Sequence, residues 1–116
     1  MLWLAADRRV SSLLLYPETR AAVGRALRMG RLPPMRLARA RRRIEALWLA
    51  TDRIELTAAL ARRAGELAEE HGLRAYDAVH LASLLEVADE ETILAAADGD
   101  LKAAARAVGL TVARLP

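Results

Sequence analysis

The sequence predicts an α/β domain over residues 1–116, three layers deep, with a mainly parallel sheet carrying helices on both faces. Three observations carry that reading. Short β-prone runs alternate with longer segments of helical period, the order in which strands and crossover helices build a parallel sheet. Glycines fall where helices should stop, at Gly30, Gly72 and Gly109. At 116 residues the chain is long enough for one core and too short for two.

Met1 to Ala6 reads as the end of a helix rather than the start of a fold. Arg9-Val10-Ser11 is a short strand candidate, and Ser12 is placed to cap a helix running from Leu13 to about Met29. Pro17 should kink that helix or move its start to Tyr16. Pro33-Pro34 opens a second helix, which continues through the arginines to about Leu49. Arg53-Ile54-Glu55-Leu56 alternates as a strand does, and Thr57 then caps a helix closed by Gly72. A helix from Tyr76 to Val87, a strand from Thr92 to Ala96, a helix from Gly99 to Val108 and a last strand Thr111-Val112-Ala113 complete the pattern.

Apolar residues make up 54% of the chain, far above a disordered composition, with Phe absent and Ala and Leu dominant, which favours closely packed helices. Cysteine is absent, which excludes a disulfide framework and a thiolate metal site. The apolar opening is broken at Asp7-Arg8-Arg9, too short for a signal peptide, and no run approaches the ~20 residues of a membrane span. The reading is of a soluble, cytoplasmic protein. Net charge is only +3, yet it is unevenly placed. Arginines crowd the stretch from Arg20 to Arg43, where no acid occurs, whereas from Glu66 to Asp100 acids dominate and Arg74 is the single basic residue apart from the two histidines. Such a division suits a chain that attracts a polyanion with one part and holds cations with another.

Two acids stand at places where function collects in α/β folds. Asp77 falls in the first turn of an apolar-periodic helix, and Asp98 just past the β-prone run Thr92-Ile93-Leu94-Ala95-Ala96. Singly, each is as well explained by a helix dipole or a cap. The whole string weighs more: Arg74-Ala75-Tyr76-Asp77-Ala78-Val79-His80-Leu81-Ala82, then Ala97-Asp98-Gly99-Asp100-Leu101, then Gly109-Leu110-Thr111-Val112, preceded by Ser11-Ser12-Leu13-Leu14-Leu15-Tyr16-Pro17-Glu18. Together these resemble PIN-domain ribonucleases, most of all the toxins of VapBC-type toxin–antitoxin pairs.

The resemblance implies an acidic cluster of Glu18, Asp77 and Asp98, with Asp100 as a fourth member, holding Mg²⁺ or Mn²⁺ for phosphodiester hydrolysis. It implies an RNA substrate, a homodimer, and a cognate antitoxin that lays a segment over the acidic cleft, docking near Leu13, Leu14 and the Ala/Leu-rich helices. The chain departs from the family pattern in two places. Ala96 stands where the family commonly has Thr or Ser. The family's opening strand, which ends in Asp and lies in the middle of its sheet, has no counterpart here, so the reading is of an N-terminally truncated form with an incomplete metal site. A natural start lying upstream, a strand borrowed from a partner and a weakly active protein all remain open. The alternative from another class is a non-catalytic remnant that binds RNA or a protein.

Four arginines supply the RNA-binding expectation. Arg36, Arg39 and Arg43 share one side of the second helix, Arg42 adjoins it, and Ile44, Leu47 and Trp48 form the apolar side. His80 follows Asp77 by one helical turn and is open to two readings, general base or half-buried helix histidine. With only His71 and His80 and no Cys, zinc is not expected. Trp3, Trp48, Tyr16 and Tyr76 are too scattered for a base-stacking platform and point to packing.

Overall fold

A computed structural model describes residues 9–89, 93–94 and 99–113. Within them the elements run β1 (Val10–Ser12), α1 (Leu15–Arg28), α2 (Leu37–Leu49), β2 (Asp52–Ile54), α3 (Ala58–His71), α4 (Ala75–Val87), β3 (Ile93–Leu94), α5 (Gly99–Ala107) and β4 (Thr111–Val112). The expected helix at Met1 to Ala6 lies outside the described residues, as do Thr92, Ala95 and Ala96 of the expected third strand.

Local chemistry explains most of the boundaries. Pro17 sits in the first turn of α1, where a backbone N–H would have no helical partner, so it opens the helix and does not break it. The two prolines after Gly30 hold the chain in a short 3₁₀ turn over Pro34–Arg36, and α2 begins only at Leu37. Thr57 caps α3 by accepting the Leu60 N–H at 3.1 Å. Gly72 ends α3 in the left-handed region at φ 65°, a conformation that a side chain would resist.

Ser12 does not cap α1. It is the last residue of β1, and α1 starts at Leu15 without a side-chain cap. The Ser12 hydroxyl accepts the Leu14 N–H at 3.2 Å and faces inward instead. The second strand is likewise displaced toward the N-terminus: it ends at Ile54, and Glu55 and Leu56 are an exposed lead-in to the Thr57 cap.

Both ladders are parallel. β1 pairs with β2 in the register Val10 to Asp52 and Ser12 to Ile54, extended by the Leu13 N–H to the Ile54 carbonyl at 3.2 Å. β3 pairs with β4, Ile93 to Thr111 and Leu94 to Val112. Among the described residues these are two separate two-stranded sheets. They share one core, because Leu94 belongs to it and Ile54 and Val112 pack against it.

That core is built on α4, which packs against α3, β1 and α5. Leu60, Ala64 and Leu67 follow one face of α3 and meet Ala78, Val79, Leu81 and Ala82 of α4, with Leu101, Ala104 and Ala105 of α5 closing the cluster. A helix apolar on nearly all sides must be buried, and small alanines let its neighbours approach closely. Leu60, Leu67 and Leu81 are essentially inaccessible to water, each contributing about 1.5–3 kcal/mol of apolar burial. Ser83, buried on the same helix, satisfies its hydroxyl by donating to the Val79 carbonyl at 2.7 Å.

Candidate active site

The candidate site comprises acids in the first turns of α1 and α4. Glu18 is the first-turn acid of α1 and Asp77 that of α4. Tyr76 immediately precedes Asp77 on α4. Its phenol is held protonated, far above the usual phenolic range, by burial first and then by the negative charges of Glu18 and Asp77. Two acids far apart in sequence thus act on one hydroxyl.

Behind this pair lies His80. Its ring meets that of Tyr76 edge to face, with centroids 4.3 Å apart, and its Nδ1 is 3.3 Å from the buried Ser12 hydroxyl. Burial lowers its pKa from 6.5 to about 4, so the ring is neutral at pH 7. Of the two readings open for His80, the structure favours the half-buried helix histidine.

The remaining expected residues divide by location. Asp98 lies outside the described residues. Asp100 is an exposed first-turn residue of α5. Among the described residues no three His, Cys, Asp or Glu side chains form a group able to hold a metal ion. Of the expected acids, the described part includes Glu18 and Asp77, whose carboxylates are the oxygen donors that suit a hard cation such as Mg²⁺ or Mn²⁺. Arg36, Arg39, Arg42 and Arg43 are all exposed, Arg36 just before α2 and the others along it.

Sequence reasoning missed two features. Tyr76 was assigned to packing, although its position beside Asp77 was the signal for a role at the acids. The second is a network on the outer side of α1 and α2. There the Tyr16 hydroxyl donates to Glu45, Arg20 donates to the Tyr16 oxygen at 2.8 Å, and Trp48 stands edge-on to the Tyr16 ring at 5.6 Å. The Arg53 guanidinium lies 5.4 Å over the Trp48 ring. Beside this network an apolar cleft opens between the two helices, lined by Leu15, Tyr16, Thr19, Ile44, Leu47 and Trp48. Of the two leucines named for the docking surface, Leu14 packs against the core and Leu13 is exposed.

This arrangement places acids at helix starts on an α/β scaffold with parallel strands. The chain belongs to the PIN-domain family, whose sequence profile it matches over residues 2–107. Ribonuclease VapC45 and Ribonuclease VapC49, from two strains of Mycobacterium tuberculosis, are each 46% identical to it over 112 residues, covering 97% of this chain and 78% of theirs. Among the described residues no helix is long and apolar enough to cross a membrane.

Proposed function

We propose that the chain is an endoribonuclease, the toxin of a toxin–antitoxin pair, that hydrolyses RNA phosphodiesters with Mg²⁺ or Mn²⁺ at an acidic cluster. The observation that carries this reading is the PIN-domain match together with the acids Glu18 and Asp77 in the first turns of α1 and α4. The ribonuclease name of its two relatives supports it. Glu18 and Asp77, completed by Asp98 and Asp100, are the residues proposed to hold the ion. When bound, the ion supplies charge neutralisation at the phosphate and a water of lowered pKa. Tyr76, held protonated, offers a hydroxyl donor beside the acids, where a phosphate oxygen would arrive. Arg36, Arg39, Arg42 and Arg43 bind the RNA backbone.

A cognate antitoxin and a second copy of the chain are the proposed protein partners. The apolar cleft between α1 and α2 is the docking surface that suits the antitoxin segment, since it opens on the helix whose first turn bears Glu18. The test is cleavage of RNA by the purified chain with and without Mn²⁺. Cleavage that needs the ion and disappears in Asp77→Asn and Glu18→Gln supports the reading. RNA binding without divalent-dependent cleavage transfers the function to the alternative, a non-catalytic RNA- or protein-binding module, which the exposed arginines of α2 favour.

A further inference from the structure

The Ser12 hydroxyl and the His80 ring form a contact that the acids alone do not require. Ser12 is 1% exposed. Its oxygen accepts the Leu14 N–H, and His80 Nδ1 lies 3.3 Å away. Counting donors fixes the direction of the second bond. If Nδ1 carried the proton, the buried Ser12 hydroxyl would have no acceptor for its own hydrogen, and the Nε2 lone pair would also be idle. If Ser12 donates to Nδ1, the only group left over is the Nε2 N–H, and Nε2 is indeed buried without a partner among the described residues. One orphan is less costly than two, so His80 accepts from Ser12 and carries its proton on Nε2.

The bond joins segments 68 residues apart. Ser12 ends β1, and the chain passes from it directly into α1, whose first turn carries Glu18. His80 lies one turn beyond Asp77 on α4 and braces the Tyr76 ring. The bond therefore ties the strand that leads into the Glu18 helix to the helix that carries Asp77, with its Ser12 end buried.

We propose that His80 is a positioning residue: by accepting the Ser12 proton and supporting Tyr76, it sets the spacing between Glu18 and Asp77 that a divalent cation would use. This rests on the acidic-site reading above. Partners one step removed from ligating carboxylates commonly alter metal affinity by about tenfold or more, and the contact is placed to act in that way.

The experiment measures binding of Mn²⁺ alone, without RNA, to the folded chain and its variants. Ser12→Ala and His80→Phe both remove the bond, the second keeping a ring against Tyr76. His80→Asn puts a carbonyl oxygen where Nδ1 was and can still accept from Ser12. The expected result is Mn²⁺ affinity weakened about tenfold in Ser12→Ala and His80→Phe and restored to within about twofold of the parent in His80→Asn. A role confined to packing would predict the reverse order for the two His80 variants, because Phe fills the ring's space and Asn does not. Parent-like affinity in folded Ser12→Ala and His80→Phe overturns the proposal. If the parent binds Mn²⁺ no better than Asp77→Asn, the acidic-site reading is what fails. The positioning role is then decided by carbon NMR of the Asp77 carboxyl group, which Ser12→Ala must shift and His80→Asn must return. A signal that does not move overturns it.

Discussion

The rings of Tyr76 and His80 meet edge to face across one turn of α4, at 74° and 4.3 Å, so that any charge placed on the imidazole is placed in a desolvated contact. In the unfolded chain His80 takes up its proton near pH 6.5, and in the folded protein only near 4. Between those values the unfolded state binds more protons, so stability rises with pH. The contribution is fully present above about pH 6.5 and is lost as pH falls toward about 4, by at most about 3 kcal/mol. Urea midpoints of the parent and His80→Asn should converge on acidification, since the variant has no imidazole to charge. Parallel pH profiles for the two proteins would dismiss this account.

The α3 cap should be measurable by itself. Thr57→Ala removes the acceptor of the Leu60 N–H and should lower stability by about 1 kcal/mol. Thr57→Ser, which keeps the oxygen, should recover most of it in the same denaturation series. A Ser variant as unstable as the Ala variant would show that the methyl group, and not the cap, matters at this position.

Core truncation has a larger expected effect. Leu81 is fully buried on α4, while Leu13 at the end of β1 is 40% exposed. Leu81→Ala should cost about 2–5 kcal/mol. Leu13→Ala should change stability by less than about 1 kcal/mol. Comparable losses at both sites would mean that the core is not centred on α4.

Reversing charge on α2 tests the RNA surface. Arg39→Glu combined with Arg43→Glu should weaken RNA binding and reduce the slope of log affinity against log salt by about 1 to 2. Arg63→Glu, on α3 where Arg63 pairs with Glu66 at 3.2 Å, is the control and should change neither. Unaltered RNA affinity in the double variant would remove α2 from the interface.

Sequence signals that act within a few residues were legible, and those that act across the fold were not. Thr57 and Gly72 announced the two ends of α3 because a cap and a left-handed turn are chosen by neighbours in the chain. Ser12 was misplaced for the same reason: a serine before an apolar run has the local look of an N-cap, while the atom it serves, His80 Nδ1, lies in another part of the chain. The parallel pairing was foreseen from the alternation of elements, but the division of the described ladders into two sheets was a matter of tertiary position. Glu18 and Asp77 were paired at the outset through family resemblance alone, since no local rule joins α1 to α4. Tyr76 became visible as part of the site only once its burial and its two charged neighbours could be seen.

The two acids rest on helices of very different standing. Asp77 belongs to α4, which buries Ala78, Val79, Leu81, Ala82 and Ser83, whereas Glu18 belongs to α1, which has no fully buried residue and packs chiefly on α2. Amide hydrogens of α4 should therefore exchange only when the whole domain opens, while those of α1 exchange through a smaller, more frequent opening. The separation of the two carboxylates is governed by the faster of these two clocks, so a cation or a partner segment that engages Glu18 acts on the one member of the pair that has freedom to respond.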